Sequence, residues 1–400
     1  MTGLLSFTIT KYYEILSLAL TLFLLANKIG PIEMGVAMPV LLFLTYSNYL
    51  NIGAAQIVLK YQPRTIECDE QENLNIIAIR IFFFSSIAAL FLAFFFISIE
   101  FLILTSLIAS TVYFKSYCLA VYRVKSSYSA INISNLVSPT FLLFMVAISA
   151  DDFGDYLRYL FISNVISIII FILNDNSILV CLSKITKKIN RYKTIYYIKS
   201  GVKISLVSIL ITIMLTLDKI YLQLTGSVTL ELGVYQLSDN IATAVYMVIT
   251  TIIYYFYPIW LGKIEKYHQF EFIYCKFVLL SSLSLPVVFF ISKILSDFLA
   301  PILFPDFLGL NNIVPNLIIL KISIVYLSFT TTLLIAKSKE YRSIILQIIV
   351  IIITAISLLI AYKFGFDDIH ILPIIISIPV ITTSLIYIYV HGKNTKKNHS

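Results

Sequence analysis

Long apolar runs separated by short polar breaks repeat from one end of the chain to the other. Most reach about 20 residues, enough at 1.5 Å per residue to cross a hydrocarbon core of about 30 Å. Their limits predict twelve spanning helices: 4–25, 34–59, 75–97, 100–122, 128–149, 157–180, 202–224, 231–260, 273–296, 311–336, 342–362 and 370–390. Glu100 alone separates the third from the fourth, and the eighth is long enough to tilt or to begin outside the membrane. Proline recurs inside these runs, at Pro39, Pro139, Pro258, Pro286, Pro315, Pro373 and Pro379, and predicts kinks that neighbouring helices must re-satisfy.

A short repeat divides this series in two. Glu33-Met34-Gly35-Val36 and Glu231-Leu232-Gly233-Val234 share three residues of four, each just after a break and opening the second helix of a hairpin. The offset, 231 − 33 = 198, is close to half the chain. A duplicated six-helix unit follows. The expected fold class is therefore all-α integral membrane, with two pseudo-symmetric six-helix bundles. Residues 1–183 form the first bundle, 184–200 a basic cytoplasmic linker, 201–392 the second bundle and 393–400 a tail.

Composition agrees. The chain is 59% hydrophobic and 12% charged, against about 25% charged in soluble domains, which excludes a large soluble core. The start lacks a basic region, and Lys11 and Glu14 interrupt its apolar run, so it is expected to be a spanning helix and not a signal peptide. Basic residues crowd one set of breaks, including Lys60, Arg123, Lys125, Lys184, Lys187, Lys188, Arg191, Lys193 and Lys199. The other set holds Lys28, Lys293 and Lys363 alone. The positive-inside rule then places both termini in the cytoplasm. The net charge of +8 is clustered at helix ends and does not point to nucleic acid. Cys68, Cys118, Cys181 and Cys275 have no zinc or redox spacing, and no metal or cofactor site is readable.

Candidate chemistry lies with the charges inside the spans, where each is costly unless paired or hydrated. Arg80, Lys115, Arg158 and Lys219 lie near helix ends and are expected to snorkel. Lys321 sits about ten residues from the nearer end of its span, too deep to snorkel, and Asp218 is too short to do so. Lys11 and Glu14, three apart, share a helix face and can pair. Asn48, Asn51 and Gln56 give the second span a broken polar stripe that could join helices or touch substrate. The outer acids Asp151, Asp152, Asp155, Asp367 and Asp368 read as solvated loop residues. A membrane polymerase or ligase needs a large outer domain, and none is present in these short loops.

Several of these residues carry a family resemblance. Ala26-Asn27-Lys28-Ile29-Gly30-Pro31, followed by Glu33-Met34-Gly35, resembles the first outer turn of polysaccharide-lipid flippases of the multidrug/oligosaccharidyl-lipid/polysaccharide exporter superfamily. Asn51-Ile52-Gly53, through Gln56 to Lys60, is similar to that family's acid-apolar-Gly pattern ending in Arg, with Asn in place of the acid and Lys in place of Arg. Leu217-Asp218-Lys219 and then Gly233-Val234-Tyr235 resemble its seventh-span motif and the turn after it. The resemblance implies a V-shaped pair of bundles around a central cavity in a bacterial inner membrane. It also implies alternating access for an undecaprenyl-diphosphate-linked oligosaccharide such as an O-antigen unit, with no enzymatic step and no cofactor.

A diphosphate needs cations in a wet cavity while its lipid tail stays in the bilayer. Lys321 is the expected substrate-binding residue, with Lys11 and Lys219 as helpers. Asp218 and Glu14 are the expected acids of a coupling site for H+ or Na+, or of a cavity ion pair. A cation-coupled multidrug antiporter of the same superfamily is the alternative, favoured if acids dominate the cavity.

Overall fold

The computed structural model describes residues 2–47, 51, 53–64, 67–336, 340–366 and 368–397. Asn48, Ile52 and Asp367 lie outside the described residues, as does the end of the tail. Every regular element among them is helical. The helices are α1 (Thr2–Ser47), α2 (Ala54–Tyr61), α3 (Cys68–Phe96), α4 (Ile99–Val124), α5 (Tyr128–Ser149), α6 (Phe153–Asn174) and α7 (Ser177–Ser183). They continue with α8 (Arg191–Thr225), α9 (Thr229–Lys266), α10 (His268–Ser281), α11 (Leu285–Leu303), α12 (Leu310–Ala336), α13 (Glu340–Lys363) and α14 (Leu372–Lys397).

Ten helices among the described residues are long and apolar enough to cross a membrane, α10 and α11 together forming one of them. One of the ten, Ser6–Ser47, doubles back. Gly30 has φ 73° and ψ 176°, which breaks the helical path. Phe7 packs against the cluster that holds Ile57 and Val58, while Leu25 shares another cluster with Ala37, Val40 and Phe43. Counting α1 as two crossings and adding α9 returns the twelve expected. This is a multi-pass membrane protein. Its lipid-facing stripes are plain: Phe84, Ile87, Phe91, Phe94 and Phe95 on α3 are all exposed, as are Phe290, Ile291, Ile294 and Phe298 on α11.

The chain divides into two compact units, Met1–Ile29 with Val36–Ile209, and Gly30–Gly35 with Leu210–Ser400. In the first, α4 packs on α2, α3 and α6, and α5 packs on α6. Ser138 and Ser163 lock that last pair, each hydroxyl donating to the other residue's carbonyl, at 2.8 and 2.9 Å. In the second unit, α12 is the hub, packed on α9, α11, α13 and α14. Pro286 begins α11 just after a 3-10 turn at Ser282–Ser284, so the ninth crossing is a broken helix.

Two breaks show local chemistry at work. Span two is interrupted between α1 and α2, where Asn51 Oδ1 accepts from the Gly53 amide at 3.1 Å and Gly53 takes φ 80°. Asn51 therefore shapes the turn, a task for which an amide serves as well as a carboxylate. The α8 helix begins at Arg191, about three turns before the expected start near Gly201. Asn190 caps it, its Oδ1 accepting from the Tyr192 amide at 2.9 Å.

The duplicated glycines meet their counterparts' strands of sequence directly. A Cβ on Gly35 would lie 2.0 Å from the Thr229 carbonyl oxygen, and one on Gly233 would lie 1.7 Å from that of Pro31. Since 31 + 198 = 229 and 35 + 198 = 233, each contact is the other's mate under the sequence repeat. Gly35→Ala and Gly233→Ala should each destabilise the fold by similar amounts, about 1–3 kcal/mol for overpacking. Thermal unfolding in detergent checks this; one variant indistinguishable from the parent would break the equivalence.

Candidate functional site

The second unit buries four charges on three helices. Asp218 and Lys219 lie on α8, Asp239 on α9 and Lys321 at the middle of α12; they are 0, 4, 3 and 3% exposed. Lys219 Nζ and Lys321 Nζ both contact the Asp239 carboxylate, each at 2.5 Å, one on each oxygen. Lys321 also donates to the Leu215 carbonyl at 3.0 Å. Asp218 accepts from the Tyr235 hydroxyl at 2.6 Å and from the Lys219 amide at 2.9 Å. Tyr235 and Asp239 are four apart on α9 and so present adjacent groups on one face. The hub position of α12 explains the depth of Lys321, since packed helices surround it and leave its stem no path to the head groups.

The first unit holds a second group of the same chemistry. Glu14 sits between Lys11, at 2.6 Å, and Lys115, at 3.7 Å. Here the Lys11 side chain is 37% exposed, so this group is wetter. Nearby, Thr10 donates to Asn132 at 2.9 Å and Tyr13 hydrogen-bonds Thr140 at 2.6 Å. The two triads are not copies. Glu14 corresponds under the repeat to Thr212 (14 + 198), and Asp239 to Leu41 (239 − 198). Each unit has arrived at one carboxylate between two ammoniums by different positions.

The expected residues are thus gathered in two places, Lys11 with Glu14 in one unit and Asp218, Lys219 and Lys321 in the other. Snorkelling is corrected for three of them. Lys219 is buried on Asp239, and Lys115 reaches Glu14. Arg80 donates to the Ile185 carbonyl, at 2.8 Å from Nε and 2.6 Å from its terminal nitrogen, and to the Lys187 carbonyl. Arg158 does remain exposed, paired with Asp155 one turn away. Lys321, expected in a wet cavity as a binding residue, is instead buried on an acid, and that acid is Asp239, which the sequence reading overlooks. Its signal is an acid inside an apolar span with a tyrosine one turn before it.

No family model matches the sequence, and no curated protein matches it. Solved structures do. A lipid II flippase, MurJ, in an inward closed conformation, aligns at TM-score 0.62 with 14% identity, over 97% of this chain and 87% of that one. An inward-facing multidrug resistance MATE transporter of the MOP superfamily aligns at 0.59 and 12%, over 98% and 100%. The fold is that of MATE transporters and MurJ. A MATE transporter, ClbM, in complex with Rb+, aligns at 0.55 and 11%, over 97% and 93%.

Removing one member of a buried ion pair costs about 3–5 kcal/mol, because the partner charge is left uncompensated. Asp239→Asn should lose about that much, having stranded two ammoniums. Adding Lys219→Met and Lys321→Met to it should recover most of the loss, as an apolar replacement of the whole group can. Chemical or thermal unfolding in detergent measures both; additive losses in the triple variant would show that the charges are not coupled.

Proposed function

We propose that this chain is an alternating-access flippase. It would carry an undecaprenyl-diphosphate-linked oligosaccharide, such as an O-antigen repeat unit, from the inner to the outer leaflet of a bacterial cytoplasmic membrane, with both termini inside. One observation carries the reading: Asp239 holds two buried ammoniums at 2.5 Å each, inside apolar helices. An ammonium there is costly unless it is paired or hydrated. A diphosphate diester likewise offers negative charge and acceptor oxygens, two ionised phosphoryl groups where Asp239 has one carboxylate, so Lys219 and Lys321 can be exchanged between the resident carboxylate and a transported diphosphate. Lys11, partly exposed beside Glu14, is suited to earlier contact with the head group. The likeness in fold to the lipid II flippase MurJ supports a lipid-linked substrate class.

Cation-coupled drug antiport is the second reading. Asp218 and Asp239 favour it, since two buried acids near one another can trade a proton or sodium ion for their lysine and tyrosine partners. In both readings Asp218 and Glu14 remain the candidate coupling acids.

Transport separates them. In proteoliposomes, Lys321→Glu should abolish flipping of a labelled polyprenyl-diphosphate oligosaccharide while the protein still inserts. Lys321→Arg should keep part of the rate, because charge survives although donor geometry changes. Full flipping by Lys321→Ala would remove Lys321 from the path. Efflux of a cationic drug that persists in Lys321→Ala and fails in Asp218→Asn would establish the antiporter instead.

A further inference from the structure

The basic linker and the start of α8 are held on a rigid frame. Glu72 takes Lys184 at 2.7 Å and Lys187 at 2.8 Å, and Glu70 takes Lys193 at 3.0 Å. Hydrogen bonds from Lys184 and Lys187 hold the Glu72 carboxyl below its ordinary range, as the one from Lys193 does for Glu70. Arg80 caps the linker carbonyls at Ile185 and Lys187. Tyr61 donates to Ser200 at 2.8 Å, and Lys60 to the same oxygen at 3.3 Å. Gly201 lies flush against Ile57 and the Gly53 carbonyl, where a Cβ would sit 2.8 and 3.2 Å from them.

The contacts made by α8 itself, through Lys193, Ser200 and Gly201, fall on one side of the helix, with Tyr197, Gly201 and Ser205 buried. The opposite side carries Arg191, Tyr192, Ile195, Lys199, Val202, Lys203 and Leu206, with Tyr196 at its edge against the Tyr61 ring, all exposed. At about 100° per residue they fall within an arc of roughly 140°. Cations therefore alternate with aromatic and aliphatic groups down one face. Arg191, Lys199 and Lys203 form no ion pair among the described residues, whereas the inward-facing lysines are taken up by Glu70 and Glu72. The first turn of α8 holds no acid. Arg191 and Lys193 there oppose the helix dipole, which an anion would favour.

Position decides what that anion is. The 35 residues of α8 extend about 52 Å, and about 20 of them fill the hydrocarbon core. The turns next to the core, about Tyr196 to Lys203, cross the head-group zone of the cytoplasmic side, where tyrosine and lysine are at home, and Arg191 to Ile195 project beyond it. We infer that this face of α8 is a preorganised binding surface for anionic phospholipid head groups, with Lys199 and Lys203 on the phosphates, Arg191 and Tyr192 on their cytoplasmic side, and Val202 and Leu206 against the glycerol and upper acyl region. The frame has already ordered the helix, so lipid binding need not.

The test uses the full chain in phosphatidylcholine vesicles containing phosphatidylglycerol. Val202→Trp places a reporter on the face, and the signal of Trp260 is subtracted with the chain lacking that change. Quenching by brominated phosphatidylglycerol is compared with quenching by brominated phosphatidylcholine at equal mole fraction. A preference of about five-fold or more for the anionic lipid is expected, as each surface cation contributes about that factor. It should fall with added salt, and it should vanish in Arg191→Gln/Lys199→Gln/Lys203→Gln while the thermal transition stays in place. Equal quenching by the two lipids, or a preference that survives the triple change, would overturn the assignment. The same assay on Lys188→Gln should leave the preference unchanged, since that residue lies neither on this face of α8 nor in the frame that holds it; its loss there would count against the site.

Discussion

An ammonium inside hydrocarbon must have an anion beside it, and much of this structure is arranged around that requirement. Lys321 lies at the middle of α12, where its stem cannot reach water. Asp239 on α9 supplies the charge, Lys219 on α8 shares it, and the Leu215 carbonyl takes a further donor. Three helices are thereby fixed to one another at a point where apolar packing alone would let them slide. The group is costly to assemble and costly to break, which is the condition under which a substrate of like charge can act as a key. Glu14, with Lys11 and Lys115, repeats the chemistry in the other unit without repeating the sequence positions.

Much of the architecture was legible in the pattern of apolar runs, because lipid imposes a minimum length and forbids open backbone. The hairpin at Gly30 and the paired glycines were legible too, since only a residue without a side chain suits a positive φ or a crossing at backbone contact. That the glycines Gly35 and Gly233 touch each other's segments was not, because a repeat shows equivalence and not proximity. The start of α8 was misplaced for a related reason. Lysine and tyrosine between residues 191 and 200 read as linker, yet they are good interfacial helix residues once Asn190 caps them.

The charged site was half legible. Depth in a span singles out Lys321 and Asp218 but cannot name their partners, which come from helices distant in sequence. Lys219 and Lys115 were read as snorkelling because distance to a helix end is all that one dimension offers. In three dimensions α9 and α1 bring an acid to each, and pairing wins over the stretch to the head groups. Arg80 shows the same error with a different outcome, finding backbone carbonyls of the linker in place of an acid.

If the lysines are exchanged between Asp239 and a transported diphosphate, the exchange is directly visible. Magic-angle-spinning NMR of the protein in lipid, with nitrogen-15 at lysine Nζ and carbon-13 at aspartate Cγ, reports the ion pairs as dipolar couplings. The account predicts strong Lys219 and Lys321 couplings to Asp239 without substrate. On adding the polyprenyl-diphosphate oligosaccharide these should weaken, and a coupling from the same nitrogens to phosphorus-31 should replace them. Unchanged couplings to Asp239, with no coupling to phosphorus while the substrate is being flipped, would contradict it.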